Sequence, residues 1–117
     1  MAIIRITNLK LRTIIGINDW EREKKQDIII NIAIQTDARR SSASDDINDT
    51  IDYKAMTKRI IGEVEASEFF LLEKLCRHVL DIVLEEKLAQ EATVTIDKPG
   101  ALRYCESVSL ELTQRKK

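Results

Sequence analysis

Within 117 residues, 19 lysines and arginines oppose 20 aspartates and glutamates for a formal charge of −1, and 44% of the residues are hydrophobic. This fits one soluble globular domain over residues 1–117 and argues against disorder, while the charge balance lacks the basic excess with which nucleic-acid binders replace phosphate counterions. No apolar run is long enough to cross a bilayer, and the opening Met1-Ala2-Ile3-Ile4-Arg5-Ile6 has no charged leader before an apolar stretch, so a cytoplasmic location without membrane partners is expected.

The segment Ile3 to Ile14 reads as a strand whose apolar parity switches from Ile4 and Ile6 to Leu9 and Leu11, which a bulge or bend near Thr7-Asn8 would explain. Ile28, Ile30, Ile32 and Ile34 then alternate with Ile29, Asn31, Ala33 and Gln35, specifying a second strand with one strongly apolar face. After a polar stretch from Arg39 to Asp49, the period becomes helical: Tyr53, Met56, Ile60, Ile61 and Val64 recur at spacings of three and four, with Thr50 or Asp52 as the cap. Leu72, Leu75, Cys76, Val79 and Val83 mark a second helix, widened by Leu71, Leu80, Ile82 and Leu84. Two more alternating segments follow, Ala92 to Asp97 and Ser107 to Thr113, separated by a turn containing Lys98-Pro99-Gly100.

The order ββααββ predicts an α+β layer pair with helices on one sheet face. Its long edges, rich in isoleucine, would be left open, so edge-to-edge association of subunits into a closed β-barrel is expected. A chain this short also has little room for a substrate site unless a second subunit supplies part of the wall. One histidine and two scattered cysteines argue against a His/Cys zinc site within one chain. With three glycines, no phosphate-cradling loop can be written, and the cysteines Cys76 and Cys105 read as reduced thiols.

Four segments place polar residues where structure alone does not require them, and each also has a plain reading. Glu21, in Asp19-Trp20-Glu21-Arg22, reads as a solvated loop carboxylate. Tyr53 opens a helix and reads as a packing residue. Glu73 lies in a first helical turn, where the macrodipole favours a carboxylate, but its apolar neighbours suggest partial burial. Lys98, at the end of a strand, reads as a solubilising charge, and His78, near an apolar stripe, as structural. The basic clusters Arg22 to Lys25, Arg39-Arg40 and Arg115-Lys116-Lys117 read as solvated surface.

In this order, Leu11-Arg12-Thr13-Ile14-Ile15-Gly16, Asp19-Trp20-Glu21, Ser44-Asp45-Asp46, Tyr53, Leu71-Leu72-Glu73-Lys74-Leu75 and Asp97 through Tyr104 make the chain resemble the dihydroneopterin aldolase family, including its sibling dihydroneopterin triphosphate 2′-epimerase. The resemblance implies the tunnelling fold, in which four subunits close a barrel and two rings stack into a homo-octamer with sites between subunits. It implies folate-pathway chemistry on a dihydropterin, with no cofactor and no metal. Glu73, Leu71, Leu72 and Ile51 would bind the pterin; Lys98, Tyr53 and Glu21 would be catalytic, with Tyr53 supplied by a neighbouring subunit.

The implied substrate carries its own electron sink. Breaking its C1′–C2′ bond leaves electron density that the dihydropterin's C6=N5 imine accepts, so the protein must supply orientation, a base for the C2′ hydroxyl proton and an acid for carbon. Glu73 suits the 2-amino and N3 edge, Lys98 the proton transfers if desolvation lowers its pKa, Tyr53 a relay at C1′, and Glu21 an orienting role. Aldolase, releasing 6-hydroxymethyl-7,8-dihydropterin and glycolaldehyde, is the leading expectation. The 2′-epimerase is the alternative, in which Arg103 or the Arg22 to Lys25 cluster would neutralise a triphosphate; a non-catalytic pterin-binding barrel is the lesser one. The chain mixes both signatures: Asp19-Trp20-Glu21 and Lys98-Pro99-Gly100-Ala101 look like certain aldolases, Leu102-Arg103-Tyr104 with Ser107-Val108-Ser109 more like the epimerase. Ile15 stands where many aldolases have histidine.

Overall fold

The isoleucine alternation builds the centre of a sheet. In a computed structural model, which describes residues 1–116, strand β2 (Gln26–Thr36) buries Ile28, Ile30, Ile32 and Ile34 at 2% exposure or less. Lys117, the end of the basic C-terminal trio, lies outside the described residues. Strand β1 (Ala2–Thr13) pairs antiparallel with β2, and its register slips between Ile6 and Leu9. Asn8 takes a left-handed φ of 54° at the slip, and its backbone N–H donates to Asn31 Oδ1 at 2.8 Å. The predicted bulge is therefore present. It keeps Ile4, Ile6, Leu9 and Leu11 on the apolar side despite their change of parity.

The polar stretch departs from expectation, for it forms a short helix, α1 (Arg39–Ser44), ended by Asp45 at φ 57°, and a 3-10 turn at Ile47–Asp49. Neither buries a residue, so hydrophobic periodicity carried no sign of them. Arg39 and Arg40 pair with Asp37 and Asp49 at 2.6 and 3.3 Å, which removes them as a free basic patch.

Helix α2 (Tyr53–Glu65) is capped by Asp52, whose side chain accepts from the Ala55 N–H at 3.0 Å; it buries Met56, Ile60 and Val64 and packs on β1. Helix α3 (Leu72–Leu84) buries six residues, Leu75, Cys76, Val79, Leu80, Ile82 and Val83, against β3 (Glu91–Pro99) and β4 (Ser107–Arg115). At roughly 1.5–3 kcal/mol per buried aliphatic side chain, these stripes hold the helices to the sheet. His78 bridges the helices as a structural group, with Nε2 2.8 Å from Glu63 Oε1 and its ring 5.6 Å from that of Phe69.

The sheet order is β1-β2-β3-β4, antiparallel throughout, which gives the expected α+β layer pair with α1 inserted before the two long helices. The face away from the helices is polar: Thr95 donates to Glu111 and Thr93 bonds to Thr113, both at 2.8 Å. Two helices of 13 residues reach only about 20 Å each, whereas the longest dimension of the chain is 52 Å. A radius of gyration of 15.5 Å also exceeds the roughly 13 Å of a compact chain this long. The sheet thus projects past its helical cover, and β1 and β4 form its open edges.

Candidate functional site

The helix-facing rows of β2 and β3 end in polar residues. Gln26 is in phase with Ile28 through Ile34, and Lys98 with Ala92, Val94 and Ile96, so both point toward the layer that holds the core. Each finds the same partner. Gln26 Nε2 donates to Glu21 Oε2 at 3.1 Å and to the Ile15 carbonyl at 2.7 Å, and the Lys98 ammonium donates to Glu21 Oε2.

Glu21 sits on a one-turn 3-10 helix, Asp19–Arg22, that folds back under the end of β1. Its other oxygen accepts from the Asn18 side chain at 2.7 Å and from the Asn18 backbone N–H at 3.2 Å. Burial pushes the Glu21 carboxyl up, but the bonds from Lys98, Gln26 and Asn18 outweigh it and hold the pKa at about 2. The approach is possible because residue 16 is glycine: at φ +131°, a Cβ there would overlap the Glu21 carboxylate. Glu21 is 4% exposed, so the solvated reading does not hold.

Opposite this pair stand Phe70, Leu71, Leu72 and Glu73, where the chain enters α3. Between the walls lies a cleft of about 290 Å³, also bordered by Ile17, Trp20 and Ala101. Glu73, Lys98 and Glu21 are therefore brought to one site, with Leu71 and Leu72 on its border. Glu73 is exposed in the single chain, so the expected partial burial is absent. Lys98 is enclosed, its side chain 12% exposed, and it faces the buried Glu21 carboxylate, so it is desolvated beside an opposite charge.

Two predicted residues are elsewhere. Tyr53 opens α2, 58% exposed and outside this cleft. Ile51 is fully buried in the core, so its side chain does not face the cleft, and only its backbone is left to touch a ligand. Among the basic candidates, Arg22 is occupied: its Nη1 donates to the Gly16 and Phe69 carbonyls at 3.0 Å each and its Nη2 to the Glu68 carbonyl. Arg103 lies in the exposed loop between β3 and β4, two positions beyond Ala101. Sequence reasoning missed Gln26, Asn18, Trp20 and Gly16. Gln26 was detectable, because a polar residue in phase with a buried stripe needs a partner.

The dihydroneopterin aldolase family model matches residues 4–113. Over 96% of its length the chain is 51% identical to a dihydroneopterin triphosphate 2′-epimerase of Escherichia coli, covering 93% of that protein. It is 28% identical to the Escherichia coli dihydroneopterin aldolase, over 94% of this chain and 90% of that one. The crystal structure of an Escherichia coli dihydroneopterin aldolase in complex with neopterin superposes with a TM-score of 0.92 at 27% identity, covering 97% of this chain and 99% of that one. The chain belongs to the dihydroneopterin aldolase family; it is an enzyme of that family and has its tunnelling fold.

Proposed function

We propose that this member of the family inverts C2′ of 7,8-dihydroneopterin triphosphate by retro-aldol cleavage and re-addition. The carrying observation is the likeness itself, 51% identity to a named 2′-epimerase against 28% to a named aldolase. This reverses the order given by the sequence motifs, in which the aldolase led.

In the proposed reaction, Glu73 accepts two N–H bonds from the 2-amino and N3 edge, with Leu71 and Leu72 beside the ring. Its location on the wall facing the Glu21–Lys98 pair supports that role. Lys98, once its ammonium has given up a proton, takes the C2′ hydroxyl proton, the C1′–C2′ pair moves into C1′–C6–N5, and the aldehyde is freed. Re-addition at the opposite face of the aldehyde, with the proton returned to its oxygen, gives the epimer. Protonation of C1′, with Tyr53 as relay, gives the aldolase product instead. Glu21 orients Lys98, a role supported by their ion pair. Residues 1–117 act as one domain, and Tyr53 reaches the site from a neighbouring subunit of an octamer. Support for that comes from its exposure outside the cleft and from the open sheet edges. Arg103 is favoured over Arg22 as a partner for the triphosphate, since Arg22 is already bonded.

The aldolase is the second reading, favoured by the likeness to the neopterin-bound aldolase structure. Incubation with 7,8-dihydroneopterin and with its triphosphate, followed by product identification, separates the two. The C2′ epimer of the triphosphate should predominate; if 6-hydroxymethyl-7,8-dihydropterin predominates from both, the enzyme is an aldolase. No product from either compound refutes both.

A further inference from the structure

We infer that Arg22 is a positioning residue that sets the width of the cleft; the inference rests on the reaction proposed above. Arg22 ends the 3-10 helix immediately after Glu21. Its guanidinium reaches the opposite wall, where it donates to the carbonyls of Glu68 and Phe69 and lies over the Phe70 ring, Cζ 3.9 Å from the centroid. A third bond, to the Gly16 carbonyl at 3.0 Å, fixes it to the loop from which it comes. The Gly16 N–H meets the same Phe69 carbonyl at 3.3 Å.

The strap joins two segments that carry different parts of the chemistry. On one side stands the Glu21–Lys98 pair, and on the other the chain runs from Phe70 directly into Leu71, Leu72 and Glu73. A ring held by Glu73 meets the proton-transfer pair only at the separation the strap imposes. A planar fork satisfies several carbonyls and stacks on an aromatic ring at once, which an ammonium cannot do.

Cleavage and re-addition differ in how much they depend on that separation. Cleavage is unimolecular once the substrate is bound. Re-addition requires the freed aldehyde to stay beside C1′ and present its other face, so it is the step most sensitive to a loosened wall. Loosening the strap should therefore let aldehyde escape.

The test is Arg22→Ala and Arg22→Lys with the triphosphate substrate, measuring turnover, the ratio of free aldehyde to C2′ epimer, and neopterin affinity through the fluorescence of Trp20, the one tryptophan, which borders the cleft. Arg22→Ala should lower turnover roughly 10- to 100-fold and raise the aldehyde share, with neopterin affinity changed less than about threefold. Arg22→Lys, which keeps the charge and remains usable if the alanine variant does not fold, should show the same shifts to a smaller degree. Turnover and product ratio equal to the wild type in a folded variant would overturn the inference and leave the reaction standing. Wild-type inactivity would sink the reaction and the inference with it.

Discussion

Glu21→Gln removes a charge while nearly keeping the shape of the side chain, so it isolates the ionic part of the buried pair with Lys98. The Glu21 carboxyl is held at about 2 against an ordinary 4.5, burial raising it and the bonds from Lys98, Gln26 and Asn18 more than offsetting this. That gap corresponds to about 3 kcal/mol of native-state stability at neutral pH. A carboxyl depressed in the folded state stabilises the fold above its unfolded value, and the effect is lost as pH falls through the folded value. The contribution should be complete above about pH 5.5, roughly halved at pH 3 and small at pH 2. At that lower limit both proteins present a neutral side chain to Lys98, so their stabilities converge. Urea denaturation of both proteins from pH 7 to pH 3 reads the difference directly, at one fixed protomer concentration because assembly adds a mass-action term. A difference that stays constant over this range would show that Glu21 is not the paired, depressed carboxylate described here.

Glu73→Gln replaces one of two acceptor oxygens by a donor that faces the pterin's own N–H groups. Neopterin affinity, read from Trp20 fluorescence, should fall about 10- to 100-fold, and an unchanged affinity would remove Glu73 from the binding wall. Gly16→Ala adds a Cβ that overlaps the Glu21 carboxylate at a φ of +131°; a loss of roughly 1–3 kcal/mol in denaturation is expected, together with reduced turnover. If Tyr53 serves a neighbour's site, mixing Tyr53→Phe and Lys98→Ala subunits, each deficient in releasing 6-hydroxymethyl-7,8-dihydropterin, should restore about a quarter of the wild-type rate of that release, since a random assembly pairs an intact Tyr53 with an intact Lys98 at that frequency. No recovery after verified subunit exchange would place both residues in sites built from one chain.

The sheet and both long helices were legible because burial enforces a period. Even the bulge at Asn8 was visible, as a parity change between Ile6 and Leu9. The helix Arg39–Ser44 was not, since an exposed helix with no buried residue leaves no apolar stripe. For the site, Lys98 was legible from resemblance, Gln26 was detectable by its phase though the sequence reading missed it, and the burial of Glu21 was not legible. It depends on a turn folding back under β1 and on the missing Cβ at Gly16, and neither follows a repeat. Arg22 misled for the same reason. A charged residue in a run of charges reads as solvated surface, and only the fold shows backbone carbonyls arranged around it.

The position of the site follows from how the core ends. Along β2 and β3 the helix-facing rows stay apolar until Gln26 and Lys98, and both donate to one oxygen of Glu21. On that side the acid-base pair is backed by the isoleucine core, which keeps water from its rear and leaves the Lys98 side chain 12% exposed. On the other side Trp20, Phe70 and Leu71 border the cleft at 66%, 59% and 52% exposure. Large apolar groups around an opening are poorly placed in water and well placed against another surface. A reaction that must retain an aldehyde needs that opening closed. A second subunit bringing Tyr53 would meet both requirements with the same contact, which ties assembly to the choice between returning the aldehyde and releasing it.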